Sequence, residues 1–210
     1  MNRIRYTLLS DGSSDKMLMP ILDWLLRRHC PNYALDPEWA DLPRLRLFPK
    51  KLPERIKKTL EFYDPDLLFI HRDEEGQTLE LRRRQIKNAL GEQTRTPAVC
   101  IVPVRMQEAW LLFNECAIRK AAGNPNGRMP LQLPPLVTIE TLPNPKGVLF
   151  DLISDASGLS STRRKKLRPQ KLAHRISQSI DDFSLLYELS AFRALEQELS
   201  DVVREAGWNS

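Results

Sequence analysis

The chain predicts an α/β fold: a largely parallel sheet flanked by helices, followed by a mostly α-helical C-terminal extension. Three observations carry this. The runs at 4–9, 67–70 and 98–104 are apolar at most positions, as strands covered on both faces are. The stretches between them place apolar residues at helical spacing, and strands alternating with helices pair in parallel. After Ala122 the composition turns to glycine, asparagine and proline, then to basic helix-forming sequence. With 210 residues the chain has room for one α/β core and a smaller appendage, set at 1–122 and 123–210.

Residues 4–9 form the first strand. Residues 15–28 follow as a helix, with Met17, Leu18, Ile21, Leu22, Leu25 and Leu26 on one face. A short second strand is expected at 45–48. A helix over 53–62 begins with Pro53 in its first turn, where the missing N–H costs nothing. The third strand, 67–70, leads directly into an acidic turn. Leu79–Leu90 is an amphipathic helix whose polar side carries Arg82, Arg83, Arg84 and Lys87. The fourth strand spans 98–104, and a long helix spans 107–121 with a break near Asn114. Prolines at 130, 134, 135, 143 and 145 make the connection after Ala122 irregular. Helices are then expected at 146–154, 172–180 and 190–203, the last with Phe192, Leu195, Leu199, Val202 and Val203 along one side.

Lys+Arg 32 against Asp+Glu 27 gives a net charge of +5, which permits an anionic partner without demanding one. Cys30, Cys100 and Cys116 lack the close spacing of a zinc site and read as reduced thiols. The first residues are too short and too soon charged for a signal peptide, and no apolar run approaches the roughly 20 residues of a membrane span. The expectation is a cytoplasmic protein without membrane contact. Ser13 and Ser14 lack the Gly-x-Ser-x-Gly setting of a nucleophile elbow, and no second glycine precedes Lys16 at Walker spacing. His29 and His174 have no acidic or cysteine neighbours at ligand spacing and are expected at the surface.

Chemistry is carried by acids at strand ends and helix starts: Asp11 and Asp15, Asp73 and Glu75, and Glu108. In an open parallel sheet, ligands collect outside the carboxyl ends of the strands, so three separate segments would deliver carboxylates to one edge. Hard dications prefer such oxygen ligands. Asp15 is equally suited to stabilise a helix start. Glu108 lies between Val104 and an apolar stretch, where a carboxylate needs a cation or an arginine to offset its burial. His71 suits either an acid or base beside a metal or a histidine satisfied at a strand end.

A strand followed by Asp11-Gly12-x-x-Asp15 at a helix start, with a later strand ending in His71-x-Asp73-x-x-Gly76, resembles the Toprim fold of topoisomerases, primases and overcoming-lysogenization-defect nucleases. Their pattern is Glu-Gly-x-x-Asp followed by Asp-x-Asp. The chain is more similar still to an uncharacterised bacterial Toprim-like family that shares the His-Arg-Asp turn, Glu-Ala-Trp-Leu-Leu at 108–112 and Asn-Pro-Lys at 144–146. The resemblance runs over about 4–192. It implies magnesium or manganese held by Asp15, Asp73, Glu75 and Glu108, with Asp11 in the place of the general acid/base glutamate or joining the metal set. His71 and Glu108 stand beside Asp11 as catalytic residues. Asp11 is one methylene shorter than glutamate. His71 occupies the first position of Asp-x-Asp, where imidazole suits manganese or zinc better than magnesium.

The resemblance implies a metal-dependent nuclease acting on DNA or RNA, in a bacterial anti-phage defence system. Toprim-like nucleases of this sort often work beside an ABC-type ATPase, so the expected partners are nucleic acid, such an ATPase and further copies of the chain. A non-catalytic module that assembles with the ATPase is the alternative. Arg72, Arg105 and Lys146 would position phosphates, joined by the dense block Arg163, Arg164, Lys165 and Lys166, which can engage several phosphates with a steep salt dependence.

Overall fold

The computed structural model describes residues 2–73, 76–91 and 95–209. Strands β1 (Arg3–Leu9), β2 (Ala34–Trp39), β3 (Leu67–His71) and β4 (Ala98–Ile101) form an all-parallel sheet in the order β2-β1-β3-β4. Helices α1 (Met19–His29), α2 (Leu52–Tyr63) and α3 (Leu79–Leu90) belong to this Rossmann-like part. They are followed by α4 (Glu115–Ala121), α5 (Pro145–Ala156), α6 (Ser161–Arg164), α7 (Pro169–Gln178) and α8 (Ser190–Glu205). The chain is α/β with a helical C-terminal part, as its sequence predicts. Among the described residues no helix is long and apolar enough to cross a membrane.

Side chains of the strands alternate between two cores. Ile4, Tyr6 and Leu8 of β1, Leu67 and Phe69 of β3, and Val99 and Ile101 of β4 face α1, α4, α5, α7 and α8. Leu9, Leu68, Ile70 and Cys100 face the opposite side with Ile56 of α2 and Ile86 of α3. This is the period of two that a pleated strand imposes. The first core is the larger because the C-terminal helices fill it: Leu149 and Ile153, Ala173 and Ile176, Phe192, Leu195 and Leu199 share one cluster with the strands. Phe192 sits edge-on to Trp110 at 5.4 Å, both fully buried. Truncating such an aromatic costs about 3–5 kcal/mol. Glu198 of α8 accepts the Cys100 N–H at 3.3 Å and pairs with Arg83 at 2.8 Å, so α8 also caps the β4 edge.

Local signals explain most boundaries. Pro20, Pro53, Pro145 and Pro169 stand in the first turns of α1, α2, α5 and α7. Asn114 caps α4 by accepting the Ala117 N–H at 2.9 Å, which is the break expected in the long helix, and Gln107–Leu111 before it is a 3-10 turn. The first expected helix likewise divides, into a 3-10 turn at Ser13–Leu18 and α1. The second strand corrects the sequence expectation. It is Ala34–Trp39, whereas 45–48 holds the end of a 3-10 turn and Arg46 at φ 58°. β2 is an edge strand with polar, half-exposed residues, so it lacks an apolar run, and its edge position tolerates Pro37. β4 stops at Ile101, before Pro103, which has no N–H to pair. α7 starts earlier than expected and absorbs Gln170 and Lys171 of the basic tract. All three cysteines are free thiols, Cys30 and Cys100 buried and Cys116 exposed.

Candidate functional site

Three turns leave the carboxyl ends of β1, β3 and β4 and bring Asp15, Asp73 and Glu108 together. After β1, the 3-10 turn at Ser13–Leu18 points Asp15 inward, where it is 6% exposed. Its carboxylate accepts the Gly12 N–H at 3.0 Å, the Ser14 hydroxyl at 3.0 Å and the Gln107 side-chain amide at 2.6 Å. Glu108, 5% exposed, sits on the 3-10 turn after β4, with Lys146 Nζ 3.9 Å from its Oε1. Lys146 owes its place to the Asn-Pro-Lys element. Asn144 caps α5 by accepting the Gly147 N–H at 2.9 Å, and a Cβ on Gly147 would lie 2.5 Å from the Asn144 amide.

His71 ends β3 and is 2% exposed. Its Nδ1 lies 3.2 Å from the Ile101 carbonyl, a contact that needs Nδ1 to carry the proton. Nε2 faces Asp73 Oδ1 at 3.5 Å, an ion pair when the ring is protonated. Asp73 Oδ1 is buried and has no hydrogen-bond partner among the described residues. The peptide N–H of Gln107 reaches the Asp73 carboxyl, and Arg82 Nε donates to the Asp73 carbonyl at 3.0 Å.

Charge is concentrated here with incomplete compensation. Burial pushes the Asp73 carboxyl up to about 6, opposed by His71 and reinforced by the negative charges of Glu108 and Asp15. Burial also raises Glu108; its own backbone and Lys146 pull the other way, and Asp15 adds to the rise. Carboxylates perturbed by burial and by one another are a feature of functional sites.

The remaining expected site residues fall elsewhere. Asp11 is half exposed and ion-paired to Arg55, which also donates to the Ser10 carbonyl, and Arg72 Nε lies 3.7 Å from its other oxygen. The charges acting on Asp73 and Glu108 thus come from Asp15, His71 and Lys146, with Asp11 turned to its arginines. Glu75 lies outside the described residues. Arg105 is exposed at a left-handed φ of 61° on the way into the Glu108 turn. In the basic block, Arg164 is held by Asp155 at 3.0 Å and by the Leu159 carbonyl, while Arg163, Lys165 and Lys166 are exposed. The helix after the block, α7, packs on the Ser13–Leu18 turn. His29 pairs with Glu196 at 3.2 Å, and His174 is half-buried beside Lys16. Both are less exposed than the sequence led us to expect.

Two residues of the site carried weak sequence signals. Gln107 bridges Asp15 and Asp73 and is legible only as a neighbour of Glu108. Arg82 is 5% exposed and occupies an apolar register between Leu79 and Ile86, a mismatch visible in the helical pattern. Among the described residues no three His, Cys, Asp or Glu side chains stand as a ready metal-ligand set. No family model, curated protein or solved structure matches the chain.

Proposed function

We propose that the chain is a Toprim-type metal-dependent nuclease, hydrolysing phosphodiester bonds of DNA or RNA with magnesium or manganese. The observation that supports this most is the trio Asp15, Asp73 and Glu108: carboxylates from three turns at one sheet edge, with Asp73 raised to about 6 by burial and by its acidic neighbours. The three carboxylates do not stand as a preformed ligand set among the described residues, but their donors are all oxygen, which suits a hard dication, and Asp73 Oδ1 has no hydrogen bond to give up. Bound there, the ion would supply Lewis-acid stabilisation of charge building on phosphate oxygens.

The chain's own residues supply the rest. Gln107 and the Gly12 N–H fix the Asp15 carboxylate. His71, with Nε2 facing Asp73, can hold or pass a proton. Lys146 and Arg72 meet the substrate's phosphate charge, and Asp11 orients Arg72. The setting carried by the sequence resemblance is cytoplasmic anti-phage defence beside an ABC-type ATPase. A non-catalytic module bound to that ATPase is the second reading, favoured by the ion pair that occupies Asp11 at the position of the Toprim glutamate.

The test incubates parent, Asp73→Asn and Glu108→Gln with plasmid, single-stranded DNA and transfer RNA under magnesium and then manganese, with and without the candidate ATPase. Cleavage by the parent that both variants lose supports the nuclease. Cleavage undiminished in the variants, or none under any condition, removes it and leaves the binding module.

A further inference from the structure

The turn that carries Asp15 also walls a separate cavity of about 690 Å³, between the carboxyl ends of β1 and β2. None of Asp15, Asp73 and Glu108 lines it. Its floor is Trp39, whose indole N–H donates to Ser10 Oγ at 2.9 Å, so the ring is fixed. Lys16 Nζ lies over that ring's face, 4.2 Å from its centroid, so a planar ligand stacking on Trp39 must take the ammonium's place and leave it beside the ring. Phe48 also lines it, its ring 73% exposed. Lys16 and Lys50, both lining the cavity, have no carboxylate partner among the described residues, whereas Arg55 is tied to Asp11 and the Ser10 carbonyl. The volume lies within the range of small-ligand sites.

A ligand that satisfies this lining needs a flat apolar ring for Trp39 and Phe48 and an anionic group for Lys16 and Lys50. We propose that the cavity seats one unpaired nucleotide of a nucleic-acid single strand, its base against Trp39 and Phe48 and its phosphate at Lys16 and Lys50. The proposal rests on the nucleic-acid reading above and narrows it to single-stranded substrate. A duplex hides its base faces in the stack, whereas a single strand offers each face to an aromatic platform. The Ser10–Ser13 segment lines the cavity while its Gly12 N–H holds Asp15, so one turn borders both the cavity and the acidic centre.

The experiment measures fluorescence anisotropy of a labelled oligothymidylate with the full chain in chelator, so that binding is separated from cleavage. Competitors are unlabelled duplex of the same length and thymidine monophosphate. Phe48→Ala alters an exposed ring and leaves the core intact, and Trp39→Phe retains an aromatic face where Trp39→Ala does not. The proposal expects Phe48→Ala and Trp39→Ala to weaken single-strand binding about tenfold or more, Trp39→Phe to restore most of it, and duplex to compete poorly. Unchanged affinity in Phe48→Ala and Trp39→Ala overturns it, as does duplex competing as well as single strand. Monophosphate competing as tightly as the strand overturns the strand as the source of the nucleotide. Cleavage assayed separately keeps the two readings apart: affinity lost in the variants while the parent cleaves nothing sinks the nuclease and keeps the cavity's role, and the reverse sinks only the cavity.

Discussion

Asp11 and Asp15 leave the same strand four residues apart and meet opposite fates. Asp11 is half exposed and neutralised by Arg55, with Arg72 nearby. Asp15 is buried among neutral hydrogen-bond donors, with Asp73 and Glu108 as charged neighbours. On the first side of the turn charge is balanced, and the cavity wall is held in shape. On the other side negative charge accumulates, and a counter-charge from outside is what the arrangement lacks. An acid at a strand end is therefore not informative alone; burial without a paired cation separates the two.

The largest effect expected is on catalysis. On the proposed nuclease reading, Asp15→Asn, Asp73→Asn and Glu108→Gln should each lower phosphodiester cleavage by on the order of a hundredfold, because each removes a charge that would hold the cation. Asp11→Asn should cost about tenfold or less, since its charge is already balanced. Equal reductions in plasmid-nicking rate for Asp11→Asn and Asp73→Asn would erase the distinction.

Next comes the basic block. Replacing Arg163, Lys165 and Lys166 with glutamine should weaken nucleic-acid binding several-fold and flatten the dependence of log affinity on log salt, by roughly 0.7–0.9 for each phosphate no longer neutralised. Arg164→Gln alone should change little, because that guanidinium is engaged by Asp155 and the Leu159 carbonyl. Filter binding across a salt series measures both.

A pH dependence follows from Asp73. The folded chain holds the Asp73 proton up to about pH 6, whereas an unfolded aspartate loses it near 4. The folded state thus binds the proton more tightly. The stability this group contributes is fully present below about pH 4 and is lost as pH rises through about 6. At pH 7.5 without metal, Asp73→Asn should melt a few degrees above the parent, and the gap should close toward pH 4. A variant that melts lower at pH 7.5 would mean the carboxylate is satisfied as it stands.

The smallest effect is at the support of Lys146. Asn144→Ala removes the α5 cap and should cost about 1 kcal/mol in urea unfolding. If Lys146 depends on that cap, cleavage should fall with it.

Much of the fold was legible because its central strands are apolar on both faces and its helices place apolar residues at helical spacing, one of them behind Pro53. β2 was not legible, because an edge strand of Ala-Leu-Asp-Pro-Glu-Trp has neither an apolar run nor clean alternation. At the site, the sequence named Asp15, Asp73, Glu108 and His71, since each follows a strand or opens a helix, and Lys146 through the Asn-Pro-Lys element of the resemblance. It could not separate Asp11 from Asp15, because side-chain direction in a tight turn depends on partners as distant as Arg55 and Gln107. Nor could it find Trp39 as a cavity floor, since its hydrogen bond to Ser10 crosses between neighbouring strands.

Isothermal titration of manganese into the full chain at pH 7.5 and pH 5, with Asp73→Asn beside it, tests the acidic centre most directly. Saturable binding is expected at pH 7.5, weakened at pH 5 because protons compete for Asp73, and lost in Asp73→Asn. Absence of binding to the parent at pH 7.5, or equal binding by Asp73→Asn, would contradict a cation site built on these carboxylates.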